Sequence, residues 1–184
     1  PSWPVFDQSE EDAVLKVLRS GKWWRCCYGE GVGDEPNPDD AAMVTSFQTA
    51  FAKHQGAAYG VACANGTAAL EIALKALGIG PGDEVIVPPY TFVATATAPL
   101  AVNAVPVFAD IDNETFNLDP DCVERAITPR TRAIVPVHFA GTAADMGRIM
   151  DIAKRHKLFV VEDSAHGHGA TWNGRGLGTI GNLG

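Results

Sequence analysis

Short apolar runs of strand length recur along this chain, most of them followed by a segment with helical periodicity. They are Tyr59-Gly-Val-Ala-Cys63, Glu84-Val-Ile-Val87, Val105-Pro-Val-Phe108, Ala133-Ile-Val-Pro-Val137 and Leu158-Phe-Val-Val161. Runs so rich in apolar and β-branched residues suit strands buried on both faces. Parallel neighbours need a crossover, usually a helix, to connect them. The alternation therefore restricts the fold to an α/β domain: a mostly parallel sheet with helices on both faces.

The helices are predicted from apolar spacing and terminal signals. Ser9-Glu-Glu-Asp opens one to about Arg19, with Ser9 as cap, Val14, Leu15 and Leu18 as apolar stripe and Gly21 as stop. Others run over 41–55, 67–77, 92–100, 120–127 and 144–157, and Asp119-Pro120 supplies a cap and a first turn. Trp172-Asn-Gly-Arg175 reads as a tight hairpin. Gly29 to Asp40 is rich in Gly, Pro and Asp and has no periodicity. It divides an N-terminal helix-and-loop segment, 1–40, from a large domain, 41–184. The first residue is Pro1 and the last, Gly184, follows no closing element, as expected of a piece of a longer protein.

Composition removes several functions. A net charge of −8 and a pI near 5.0 argue against nucleic acid, because phosphate binding wants a basic face. No apolar run approaches membrane-spanning length, so no membrane partner is expected. Cys26, Cys27, Cys63 and Cys122 show no metal-binding or paired spacing, which points to no metal site and a reducing cytoplasm.

In open α/β sheets, ligands sit outside the carboxyl ends of the strands. Residues just after each apolar run are therefore the candidates. Glu162 and Asp163 follow Leu158–Val161 and must point to opposite sides, so at most one faces a ligand. Such a carboxylate can grip a cationic ligand atom, cap a helix or sit in a structural ion pair. Ala64-Asn-Gly-Thr-Ala-Ala-Leu70 is a small-residue turn opening a helix. Free N–H groups and the helix dipole there suit a phosphate, with Gly66 allowing close approach and Thr67 adding a hydroxyl; a plain capped turn has the same look. Pro88-Pro-Tyr-Thr-Phe-Val-Ala-Thr95 offers aromatics that either lie against a planar ligand or anchor the next helix. His138, after another strand, either touches a ligand or is satisfied in the core. Trp23 and Trp24 cannot share one face, so one of them faces solvent, an interface or a ligand, unless the segment is a loop packed on the core; Trp24, Arg25 and His138 are the candidate substrate-binding residues. Gly176-Leu-Gly-Thr-Ile-Gly181 matches G-x-G-x-x-G, yet it follows an Asn-Gly turn and lacks the helix and distant acid of a dinucleotide site.

A phosphate cradle, an aromatic plate, a carboxylate and a histidine at one sheet edge describe a site for a planar, phosphorylated ligand with a basic ring nitrogen. Pyridoxal 5′-phosphate (PLP) is such a ligand. The segments Asn65-Gly-Thr-Ala-Ala-Leu70, Gly80-Pro-Gly-Asp-Glu-Val-Ile-Val-Pro88, Thr91-Phe92, Asp110-Ile-Asp112, Asn117-Leu-Asp119, Pro136-Val-His138 and Glu162-Asp-Ser-Ala-His166 carry a closer likeness. In that order they resemble the DegT–StrS family of PLP-dependent aminotransferases, of the aspartate-aminotransferase fold type (fold type I), over essentially the whole chain. Trp3-Pro4 and Gly21-Lys-Trp-Trp-Arg25 look like the branch of 3-amino-5-hydroxybenzoate synthases and aminocyclitol-forming aminotransferases. The resemblance implies that Gly66 and Thr67 bind the phosphate, Phe92 stacks on the pyridine ring, Asp163 pairs with its nitrogen and His166 lies near the phenolic oxygen. It implies glutamate or glutamine as amino donor, a keto sugar, keto cyclitol or related keto acceptor, and a homodimer. Glu162 is expected to face away from the ring and to matter little for turnover.

The family's Schiff-base lysine follows the aspartate by a few tens of residues. Lys16, Lys22, Lys53, Lys75, Lys154 and Lys157 all precede Asp163, so this stretch alone is expected to be inactive. A histidine at the missing position would instead mark a sugar dehydratase of the same fold, and neither residue would mark a non-catalytic binding or regulatory protein.

Overall fold

The computed structural model describes residues 4–21, 23 and 43–184. They belong to two compact units, residues 1–51 with 59–62 and residues 52–58 with 63–184. The expected division at residue 40 lies outside the described residues.

In the first unit, α1 spans Gln8–Ser20. Its cap is Asp7, not Ser9: the Asp7 carboxylate accepts from the Ser9 N–H at 2.7 Å, and the Glu10 carboxylate accepts from the Asp7 N–H at 2.8 Å. This reciprocal box satisfies two groups at the helix start, which Ser9 as cap would leave open. Gly21 closes the helix at φ 67°. Val14 and Leu18 remain exposed and, with Val17, Trp23 and Met43, line an apolar groove. The second helix, α2, spans Met43–Gln55 and begins in this unit. The strand expected at Tyr59–Cys63 does not form. No described strand lies beside it to complete a ladder, and Ala62 donates its N–H to the Gln48 side chain instead.

The second unit is built on four strands: β1 (Glu84–Val87), β2 (Val105–Phe108), β3 (Thr131–Ile134) and β4 (Phe159–Val160). They lie in the order β2-β1-β3-β4, and every pairing is parallel. Pro106 is tolerated because β2 is an edge. Helices α3 (Gly66–Ala76) and α4 (Ala94–Ala101) cover one face, and α5 (Pro120–Ala126) and α6 (Met146–His156) cover the other. The strand residues alternate between the two cores as the pleat demands. Ile86, Ile134 and Val160 pack with Val123, Met146 and Ile149, whereas Val85, Val87, Ala133 and Val161 pack with Leu70, Leu74 and Ala98. Pro120 does open α5, with the Asp119 carboxylate as its cap. The hairpin strands β5 (Thr171–Trp172) and β6 (Arg175–Gly176) meet through Asn173 and Gly174, both at positive φ, as a tight two-residue turn requires.

Candidate active site

From the central β1 the chain moves outward to β2 and then crosses back to β3 on the other side of β1. The strand order thus reverses between β1 and β3, and the crevice at the carboxyl ends of such strands is where open α/β sheets bind ligands. The segments that leave β1, β3 and β4 at this edge carry Phe92, His138 and Asp163.

Asp163 continues the face of Val161, the side covered by α4. A parallel bridge to Val137 fixes its backbone, which accepts from the His138 N–H and donates to the Pro136 carbonyl. Its Oδ2 accepts from the Thr95 hydroxyl at 2.8 Å, and its Oδ1 takes a longer bond, 3.3 Å, from the Ala165 N–H. Thr95 lies in the first turn of α4 and is fully buried. The sequence displays Thr91 and Thr95 four residues apart, but nothing local indicates that Thr95 reaches a residue 68 positions away.

Phe92 begins the same turn: its carbonyl accepts the Thr95 N–H. Its side chain is 76% exposed, so it is not a core anchor for the following helix. Nearby in sequence, Tyr90 joins Phe116 and Phe139 in a cluster with ring centroids 4.9 to 6.0 Å apart. Phe139 also meets the His166 ring edge-on. Two non-glycine residues of these loops, Phe116 and Ala140, adopt positive φ. Asn117, buried between the loops, ties them together by accepting the Phe139 N–H and donating to the carbonyls of Thr142 and Ala143.

The His166 side chain is exposed, and its Nδ1 accepts the N–H of Ala140 at 3.2 Å. With Nδ1 occupied as an acceptor, the ring proton belongs on Nε2.

Gly66 and Thr67 open α3, whose cap Asn65 accepts the Ala68 N–H. The first helical amides have no intrahelical acceptor, and among the described residues those of Gly66 and Thr67 have no other partner. A Cβ added at Gly66 would meet nothing within 4 Å, so a ligand has open access to this backbone. No hydrogen bond among the described residues joins Gly66 or Thr67 to Asp163 or His166.

Glu162 points the other way, to the side of Val160. Its Oε2 is bonded to His138 Nε2 at 2.9 Å and to the Gly178 N–H at 3.0 Å; its Oε1 accepts from the N–H groups of Ile180 and Gly181, both at 2.6 Å. Burial alone would raise the Glu162 pKa, but the bonds from His138, Gly181, Gly178 and Ile180 outweigh it and hold the carboxyl below its ordinary value. Two glycines of the apparent dinucleotide motif, Gly178 and Gly181, thus form with Ile180 a nest for a carboxylate of the same chain. A Cβ at Gly181 would come within 2.7 Å of the Val160 carbonyl.

His138 corrects an expectation. It is completely buried, Nδ1 accepts the Ala144 N–H at 3.1 Å, and Nε2 therefore donates to Glu162. Neither nitrogen is left for a substrate, so it is a structural histidine and not a substrate-binding one. Trp24 and Arg25 lie outside the described residues. Lys16, Lys53, Lys75, Lys154 and Lys157 are all exposed, on helices or a helix cap, and Lys22 lies outside the described residues.

Residues 39–184 match the profile of the DegT/DnrJ/EryC1/StrS aminotransferase family. The chain is 43% identical to the 3-amino-5-hydroxybenzoate synthase of Amycolatopsis mediterranei, over 98% of its own length and 43% of the relative's. It is 45% identical to the L-glutamine:2-deoxy-scyllo-inosose aminotransferase of Streptomyces kanamyceticus, over 99% of this chain and 42% of that one. Among solved structures, the PLP form of a sugar aminotransferase assigned as such in Streptococcus pneumoniae superposes with a TM-score of 0.84 at 30% identity, covering 97% of this chain and 46% of that one. The chain therefore spans less than half the length of these proteins.

Proposed function

Because the chain belongs to the DegT/DnrJ/EryC1/StrS aminotransferase family, we propose that the whole protein is a PLP-dependent aminotransferase. It takes an amino group from glutamate or glutamine and delivers it to a keto sugar, keto cyclitol or related keto acceptor. One observation carries this reading: the Asp163 carboxylate, held at a strand end by Thr95, stands beside the turn that exposes the Phe92 ring. The similarity to an aminobenzoate synthase and to a cyclitol aminotransferase favours a cyclic acceptor.

The residues fit the cofactor part by part. The open backbone at Gly66 and Thr67 suits a phosphate at a helix N-terminus. The exposed Phe92 ring suits the face of a pyridine. Asp163 Oδ1, with only one long bond, is available to hold a proton on the ring nitrogen, and the Nε2–H of His166 suits a phenolic oxygen. When bound, PLP supplies an electron sink for the carbon that loses or gains the amino group. The chain's contribution is to orient that ring, keep its nitrogen protonated and fix its phosphate. A homodimer in the cytoplasm completes the reading; the free thiols of Cys63 and Cys122 suit a reducing compartment.

The test reconstitutes the full-length protein with PLP and incubates it with glutamine or glutamate and a panel of keto sugars and keto cyclitols. Aminated product, detected by mass spectrometry, is expected. Cofactor binding with loss of water from the sugar and no amino transfer would identify a dehydratase; no cofactor absorbance would remove the reading altogether.

A further inference from the structure

The hydroxyl of Thr95 is fully buried and bonded at both ends. It donates to Asp163 Oδ2, and its oxygen lies 2.8 Å from the Thr91 hydroxyl. A threonine has one hydroxyl proton. Since that of Thr95 is committed to Asp163, Thr91 must be the donor between the two. The direction of the relay is thereby fixed: Thr91 Oγ1–H to Thr95 Oγ1–H to Asp163 Oδ2.

In a helix, a threonine hydroxyl ordinarily bonds back to a carbonyl one turn earlier. Thr95 instead reaches across to another strand end. Rotation of an aspartate carboxylate about its last torsion is broad and roughly two-fold. Clamping Oδ2 selects one of those orientations and leaves Oδ1, with its single 3.3 Å bond, as the oxygen with acceptor capacity to spare. The clamp belongs to the turn that carries Phe92, whose carbonyl accepts the Thr95 N–H. The plane of the aromatic plate and the direction of the carboxylate are therefore set by one piece of backbone.

We propose that Thr95, backed by Thr91, is a positioning residue that aims Asp163 Oδ1 at the ring nitrogen of the bound cofactor. This rests on the reading of the site as a PLP site. Displacements of about 1 Å in such groups cost roughly 100-fold in rate.

The experiment uses the full-length holoenzyme and the variants Thr95→Val, Thr95→Ser and Thr91→Val. It measures kcat, KM for the amino donor, the visible circular dichroism of the bound cofactor and thermal unfolding of the apoprotein. Thr95→Val should lower kcat by about 10- to 100-fold, leave KM within about 3-fold, alter the cofactor's dichroism and barely move apoprotein unfolding. Thr95→Ser should restore kcat to within about 3-fold of the parent. Thr91→Val should fall between them. Wild-type kcat and dichroism in Thr95→Val would overturn the proposal. So would a serine variant as impaired as the valine one, since the methyl group would then be what matters. If Thr95→Val fails to fold, Thr95→Ala is read by the same criteria. A parent enzyme showing no cofactor absorbance would instead overturn the reading of the site itself.

Discussion

Glu162 and Asp163 are neighbours at the end of β4, and the pleat sends them to opposite faces of the sheet. On one face, Glu162 is sealed from water with four hydrogen-bond donors, one from His138 and three from the backbone of the segment 178–181. On the other face, Asp163 is half-buried, with one strong bond and one long one. The same functional group, displaced by one residue, is a structural cornerstone in one case and, in the proposed reading, a handle for the cofactor in the other. The difference lies in how many donors the fold supplies. A carboxylate with all its lone pairs engaged has nothing left for a substrate, whereas one left incomplete keeps acceptor capacity for a further donor.

The comparison is broken most directly by removing each acid in turn. Glu162→Ala orphans one buried amide, two part-buried ones and the buried His138 ring, so a loss of about 3–5 kcal/mol is expected, read by urea unfolding of the full-length protein. A change under about 1 kcal/mol would mean that the 178–181 turn stands without its anion. Asp163→Ala should leave that unfolding curve nearly in place and lower kcat by about 100- to 1,000-fold, the size of effect seen when one electrostatic group is deleted from an active site. Near-parental turnover would remove Asp163 from the chemistry. Phe92→Ala should weaken cofactor retention by about 2- to 10-fold, matching the ~0.5–1.5 kcal/mol of an aromatic stack. Phe92→Tyr should retain nearly all of it, as dialysis against buffer can show.

The smallest effect sharpens the contrast through pH. Because folding lowers the Glu162 pKa, its contribution is complete above the unfolded value, near 4.5, and is lost as pH falls from there through the folded value. The stability gap between the parent and Glu162→Gln should therefore be constant above about pH 5 and narrow below about 4.5. A gap that stays unchanged down to pH 3 would show that His138 and the amides hold the acid form equally well.

Much of this was legible before any coordinates. Alternation placed β1 to β4, and pleat parity put the two acids on opposite faces. Asn-Gly marked the β5–β6 turn, because only a few residues tolerate its backbone. What escaped depended on distant partners. His138 looks the same in sequence whether it faces a ligand or a buried glutamate, and only the fold brings Ala144 and Glu162 to its two nitrogens. Tyr59–Cys63 has strand composition but no described neighbour to pair with. Thr95 reads as an ordinary helix residue until β4 is set beside α4. Gly178 and Gly181 stand in the sequence as part of a G-x-G-x-x-G string, and their role, with Ile180, as a cradle for Glu162 appears only when the hairpin is folded back.

The strand order has a consequence for how the chain is made. β1 emerges early but ends at the centre, pairing Glu84 with Val105 on one side and with Thr131 on the other. One of its faces can be covered at once by α3 and α4, which flank it in sequence. The other, carrying Ile86, is covered later: Val123 of α5 follows nearly forty residues on, and Met146 and Ile149 of α6 some sixty. Synthesis proceeds at about 5–20 residues per second, so an apolar strand stays half-clothed for seconds on the ribosome. Parallel pairing at such separations is also slow to form. The nascent chain therefore presents a sticky surface for longer than a helical bundle of equal length would, and its yield in a foreign host should rise with chaperone supply.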